Sequence, residues 1–163
     1  MDLLIDNDLL VKIANLLKQK KLTVATAESC SGGLISHSLT NISGSSDYFD
    51  RGIVSYSNES KVELLGVSKE LLKKYGAVSE QVAKAMAEGI RTKSNVDIGL
   101  STTGIAGPTG GTKDKPVGLV YIGISTKDFK TVKKFKFSGS RLQNKDDICN
   151  AALKMIFEYI THS

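Results

Sequence analysis

Apolar residues recur at helical spacing at Leu9, Leu10, Ile13, Leu16 and Leu17, which predicts an opening helix with Asp6 or Asp8 as its cap. The next apolar run, 22–27, is short and continuous, the pattern of a buried strand. Gly32 and Gly33 then open a second helix that runs to about Leu39. The segment GIVSY, 52–56, alternates as a strand does, a helix over 58–65 follows, and Gly66 stops it. A short helix is predicted over 68–75. A longer one starts at Ser79 and places Val82, Ala83, Met86, Ala87 and Ile90 on one face. Residues 96–103 form a strand pattern, and 117–126 and 130–138 form two more around a hairpin at Lys127-Asp128-Phe129. The last helix covers 142–160, with Ile148, Ala151, Ala152, Met155, Ile156 and Tyr159 as its stripe. Strands alternating with helices require crossovers. The expected fold is therefore a three-layer α/β/α sandwich with a mixed, mainly parallel sheet, in a single domain over 1–163. Ligand sites in such folds gather at strand C-terminal ends, and 28–33, 55–61 and 102–111 fall there.

Composition changes this picture little. The chain has 163 residues, 40% hydrophobic and 24% charged, with no Trp, so its core must be aliphatic. No apolar run approaches the ~20 residues of a membrane span, and the N-terminus has no basic start, so a cytoplasmic chain with no membrane partner is expected. Cys30 and Cys149 do not make a disulfide framework. The net charge of +5 raises nucleic acid or a small anion as ligand. The lysines spread over several predicted faces without interleaved aromatics, so no specific nucleic acid is expected, and a phosphate-bearing small molecule fits the charge. Apolar helix faces serve either the core or a subunit contact, and a homo-oligomer, a dimer, is expected.

Three motifs carry candidate chemistry. In AESCSGG, 27–33, Ser29 sits where a buried strand becomes a helix. Such a turn projects a side chain outward, and the free amides of Ser31, Gly32 and Gly33 suit a phosphate or an oxyanion. On geometry alone the serine reads more readily as a helix cap. Cys30 is a rival nucleophile, but the only histidines are His37 and His162, neither placed to serve it, and a Ser-His-Asp triad fails for the same reason. The second motif is Lys61. If Asn58 caps its helix, Lys61 lies in the first turn, where the helix dipole disfavours a cation. Burial and dipole together would lower its pKa and make it a base for Ser29. Tyr56, at the end of the preceding strand, is placed to bond the lysine or a substrate. The third is the glycine-rich loop 101–118, which fits neither a Walker A nor a dinucleotide register. Its glycines allow close backbone approach to a ligand, and Thr103 stands at its strand end.

Together these motifs resemble the CinA C-terminal domain family, in its stand-alone form, whose activity is nicotinamide-nucleotide amidohydrolase. The matching stretches are AESCSGG, GSSDYFDRGIVSYSNESKVELLGV, YGAVSEQVAKAMAEG and TTGIAGPTGGTKDKPVG, in the family's order over most of 24–123. The resemblance implies hydrolysis of the carboxamide of nicotinamide mononucleotide by a Ser–Lys dyad, with no cofactor and no metal. It places the nucleophile on Ser29, the base on Lys61 and an assisting tyrosine on Tyr56. Substrate-binding positions fall on Ser46, Thr103, Gly107 and Arg141, beside Ser31, Gly32 and Gly33. Ser31 stands where the family has Thr. Ser140 stands where it has Asp, which leaves the hold on Arg141 in question. Two other function classes stay open: a non-catalytic module that holds a phosphorylated nucleotide, and an accessory protein of competence or DNA damage.

Overall fold

The computed structural model describes residues 4–163. Its elements in chain order are α1 (Asn7–Lys20), β1 (Val24–Glu28), α2 (Leu34–Thr40), a 3-10 turn (Ser45–Asp47), β2 (Phe49–Val54), α3 (Asn58–Leu65), α4 (Lys69–Tyr75), α5 (Glu80–Ser94), β3 (Ile98–Gly104), β4 (Leu119–Ser125), β5 (Lys130–Lys136) and α6 (Arg141–His162). The strands form one sheet in the order β2-β1-β3-β4-β5. β1 pairs in parallel with β2 and β3, while β4 runs antiparallel to both β3 and β5. Four strands thus point one way and β4 alone is reversed.

Two aliphatic cores lie on the two faces of this sheet. One gathers residues of α1, α2 and α6, including Leu10, Ile13, Ile35, Leu39, Ile148 and Ile156, over Val24, Ile98, Leu100, Val120 and Ile122. The other packs Val82, Met86 and Ile90 of α5, with Leu65 and Leu72, over Ala25 and Ala27. The result is the expected three-layer α/β/α sandwich. The two-residue period of a strand assigns each side chain of β1 and β3 to a face. Even positions face α2, and odd positions face α5.

Side-chain caps place the helix starts. Asp6 accepts from the Leu9 amide at 2.9 Å, and Ser68 and Ser79 accept from Leu71 and Val82. Ser57, not Asn58, caps α3, accepting from the Ser60 amide at 3.1 Å. Ser140 caps α6 in a capping box with Gln143. The largest departure from the predicted pattern is β2, which starts at Phe49 rather than Gly52 and ends at Val54. It is an edge strand exposed over most of its length, so its first residues carry no apolar alternation to read.

Candidate active site

The C-terminal ends of β1, β2 and β3 meet at a cleft of about 180 Å³ lined by Ser29, Cys30, Tyr56, Lys61, Ala77, Val78, Thr103, Gly104 and Ala106. Ser29 is the first residue past β1, and its amide donates to the Thr102 carbonyl at 3.1 Å, continuing the β1–β3 ladder by one step. The chain then turns sharply. Gly32 and Gly33 carry it through left-handed backbone at φ +61° and +97°, conformations that glycine adopts without steric cost.

Lys61 is the fourth residue of α3 and is 1% exposed. Its side chain folds back past the helix start. There its amine bonds the Ser55 carbonyl at 2.8 Å, the Tyr56 carbonyl at 3.1 Å and the Ser29 hydroxyl at 3.3 Å. Burial lowers its pKa from the usual 10.5. A neutral amine has two N–H donors and one lone pair. The three oxygens match the three N–H groups of the ammonium form; in the neutral form, which burial favours, the two carbonyls would take both N–H groups and turn the lone pair to the Ser29 hydroxyl. It is the Tyr56 carbonyl that touches the lysine, whereas the phenol points elsewhere.

Cys30 lies in the same turn but is buried, and burial pushes its thiol up to about 12. The thiolate needed for nucleophilic attack is thus suppressed. The group that the lysine amine contacts is the Ser29 hydroxyl, not the thiol.

The turn amides differ from the expected set. The Gly32 amide is occupied by the Ser29 carbonyl at 3.1 Å, so it is not free for an anion. The Ile35 and Ser36 amides, at the start of α2, are taken by the Glu28 carboxylate, both at 2.9 Å. Among the described residues the amides of Cys30, Ser31 and Gly33 form no hydrogen bond within the chain.

Each remaining expected residue has a definite place. Thr103 is buried, lines the cleft and donates its hydroxyl to the Ala77 carbonyl at 2.7 Å, which ties β3 to the segment before α5. Arg141 bonds the Gly107 carbonyl at 2.8 Å through Nη1 and the Tyr56 phenol at 3.2 Å through Nη2. It thereby links the glycine-rich loop to the residue that is 61% exposed at the mouth of the cleft. Gly107 thus presents its carbonyl to the arginine. Ser46 is not brought to this cleft. It is exposed in the 3-10 turn before β2, at the opposite end of the sheet from Ser29.

With the geometry in place, the comparisons are informative. The family model for the CinA C-terminal domain matches residues 6–160. The chain belongs to the CinA C-terminal domain family. It is 54% identical over 129 residues to a CinA-like protein of Kosmotoga olearia, covering 79% of this chain and 31% of that one. It is 48% identical over 161 residues to a CinA-like protein of Chlorobium limicola, covering 95% and 37%. The chain therefore spans only about a third of the length of these curated relatives. The crystal structure of competence/damage inducible protein CihA from Agrobacterium tumefaciens matches with a TM-score of 0.93 at 38% identity, covering 97% of this chain and 98% of that one.

Within this CinA domain, three residues that the sequence reading leaves aside organise the site. Glu28 is 1% exposed and its carboxylate accepts from the Ser31 hydroxyl, the Ile35 and Ser36 amides and the Ser36 hydroxyl. It is the true cap of the turn. Thr102 shares a 2.7 Å hydrogen bond with the Ser31 hydroxyl, so the Ser31 side chain joins β3 to the turn. Asn144, fully buried on α6, donates to the Ala106 carbonyl and accepts from the Gly139 amide, both at 2.9 Å. Glu28 and Thr102 had a legible signal, since both are even positions that the strand period turns toward α2. Asn144 had none beyond being polar on an apolar stripe. Ser140 caps α6 while Arg141 is held by Gly107 and Tyr56, so the hold on the arginine does not run through the side chain at 140.

Proposed function

We propose that this CinA domain is an amidohydrolase that converts nicotinamide mononucleotide to nicotinate mononucleotide and ammonia. The observation that carries this reading is the buried Lys61 amine, held by two carbonyls and bonded to the Ser29 hydroxyl. The resemblance of the surrounding motifs to the nicotinamide-nucleotide amidohydrolases supplies the substrate.

In this mechanism the neutral amine of Lys61 takes the Ser29 proton as Oγ attacks the carboxamide carbon. The developing oxyanion is met by unoccupied turn amides, with that of Cys30, directly after the nucleophile, as the first candidate. The C–N bond then breaks, and the Lys61 ammonium returns its proton to the departing nitrogen, which leaves as ammonia. Water attacks the resulting ester, giving its proton back through Lys61, and Ser29 is released as the hydroxyl. A cleft of about 180 Å³ admits a ring carboxamide, and the ribose and phosphate extend past its mouth.

The test is ammonia release from nicotinamide mononucleotide by purified protein. Ser29→Ala and Lys61→Ala should each reduce turnover by about 10²–10⁴-fold, the usual loss of a nucleophile or its base, with unchanged circular dichroism. Near-normal turnover by either variant sinks the dyad.

A further inference from the structure

On the amidohydrolase reading, most of the substrate lies outside the cleft, and Lys145 stands beside the nucleophile turn. A β-carbon placed on Gly32 would come within 3.2 Å of the Lys145 amine, so the ammonium rests against the backbone of the turn that carries Ser29. No carboxylate pairs with Lys145, and no hydrogen bond engages its amine, among the described residues. Glu28, the acidic residue of the same turn, spends its oxygens on Ser31, Ile35 and Ser36.

The position of Lys145 is unfavourable for the fold taken alone. It follows Arg141 by four residues, which places two cations side by side on α6. Arg141 opens the helix, where the dipole also disfavours positive charge, and Lys145 stands one turn further on. Arg141 is engaged by Gly107 and Tyr56. The amine of Lys145 is the uncommitted one.

We propose that Lys145 receives the anionic end of the substrate, a phosphate monoester, and sets a preference for phosphorylated over unphosphorylated pyridine carboxamides. The inference rests on the amidohydrolase reading, and it assigns the anion to Lys145 rather than to Arg141.

The test compares nicotinamide mononucleotide with nicotinamide riboside in wild type, Lys145→Met and Lys145→Arg. Met keeps the stem and removes the charge. The expected result is a fall of about 10- to 100-fold in the ratio of the two kcat/KM values in Lys145→Met, carried by KM, as for a lost charged hydrogen bond. Lys145→Arg should restore most of it. An unchanged ratio in Lys145→Met overturns the proposal. If wild type releases no ammonia from either compound, the reaction fails separately, and calorimetric affinities for the same two compounds decide the matter. A phosphate-dependent affinity lost in Lys145→Met supports the anion site. An affinity that is absent, or indifferent to Lys145, overturns it.

Discussion

Lys61 shows how one residue can be both a liability and a tool. Its ammonium form is disfavoured by burial, and its folded pKa lies below 10.5. The group therefore binds fewer protons in the folded state than in the unfolded state between its depressed pKa and 10.5, and stability rises with pH across that window. Below it the full penalty is present. Lys61→Met should be most favourable relative to wild type at low pH, and that advantage should shrink as pH climbs through the window, read from urea melts at several pH values. At the lower edge of that window kcat/KM of the wild type should rise with pH as the neutral amine appears, and then level off. A flat stability difference would show that Lys61 titrates alike in both states. The sequence exposed this residue because a lysine in the first turn of a helix contradicts the dipole. For Glu28 and Thr102 the strand period gives only the face, toward α2, because a carboxylate at a strand end and a threonine in a strand contradict nothing.

Among the elements, those with a clear apolar period were legible and those with neighbours on one side only were not. α5 buries the stripe of Val82, Ala83, Met86, Ala87 and Ile90 that its spacing announces. β2, on the sheet edge, begins three residues before its pattern does. Ser46 lies before the first residue of that strand, away from the cleft; a position matched by motif carries no information about which end of a strand it occupies. α6 illustrates the value of caps. Its start rests on the reciprocal bonds of Ser140 and Gln143, so Ser140→Ala should cost about 1 kcal/mol. Ser140→Asp should match or exceed wild type, because an aspartate also caps and its charge suits the dipole. Thermal melts of the two variants test the pair. A neutral Ser140→Ala would mean that packing alone fixes the helix start.

At the level of the whole molecule, the site depends on contacts between distant parts of the chain. Asn144 joins α6 to the loop at Ala106 and to the turn at Gly139 without exposure to water. Asn144→Ala leaves the buried Ala106 carbonyl without its donor and the part-buried Gly139 amide without its acceptor, and unfolding in urea should show a loss of about 1–3 kcal/mol. A loss under 1 kcal/mol would mean that the loop is held by other bonds. The sheet's reversal at β4 has the same long reach. That strand returns the chain so that α6 can lie across α1 and α2, and only then do Arg141 and Asn144 reach the loop and Tyr56. Arg141 and Tyr56 stand 85 positions apart in the chain, so the mouth of the cleft is closed only when α6 has docked, and loosening this helix would open the cleft without touching the strands that line it.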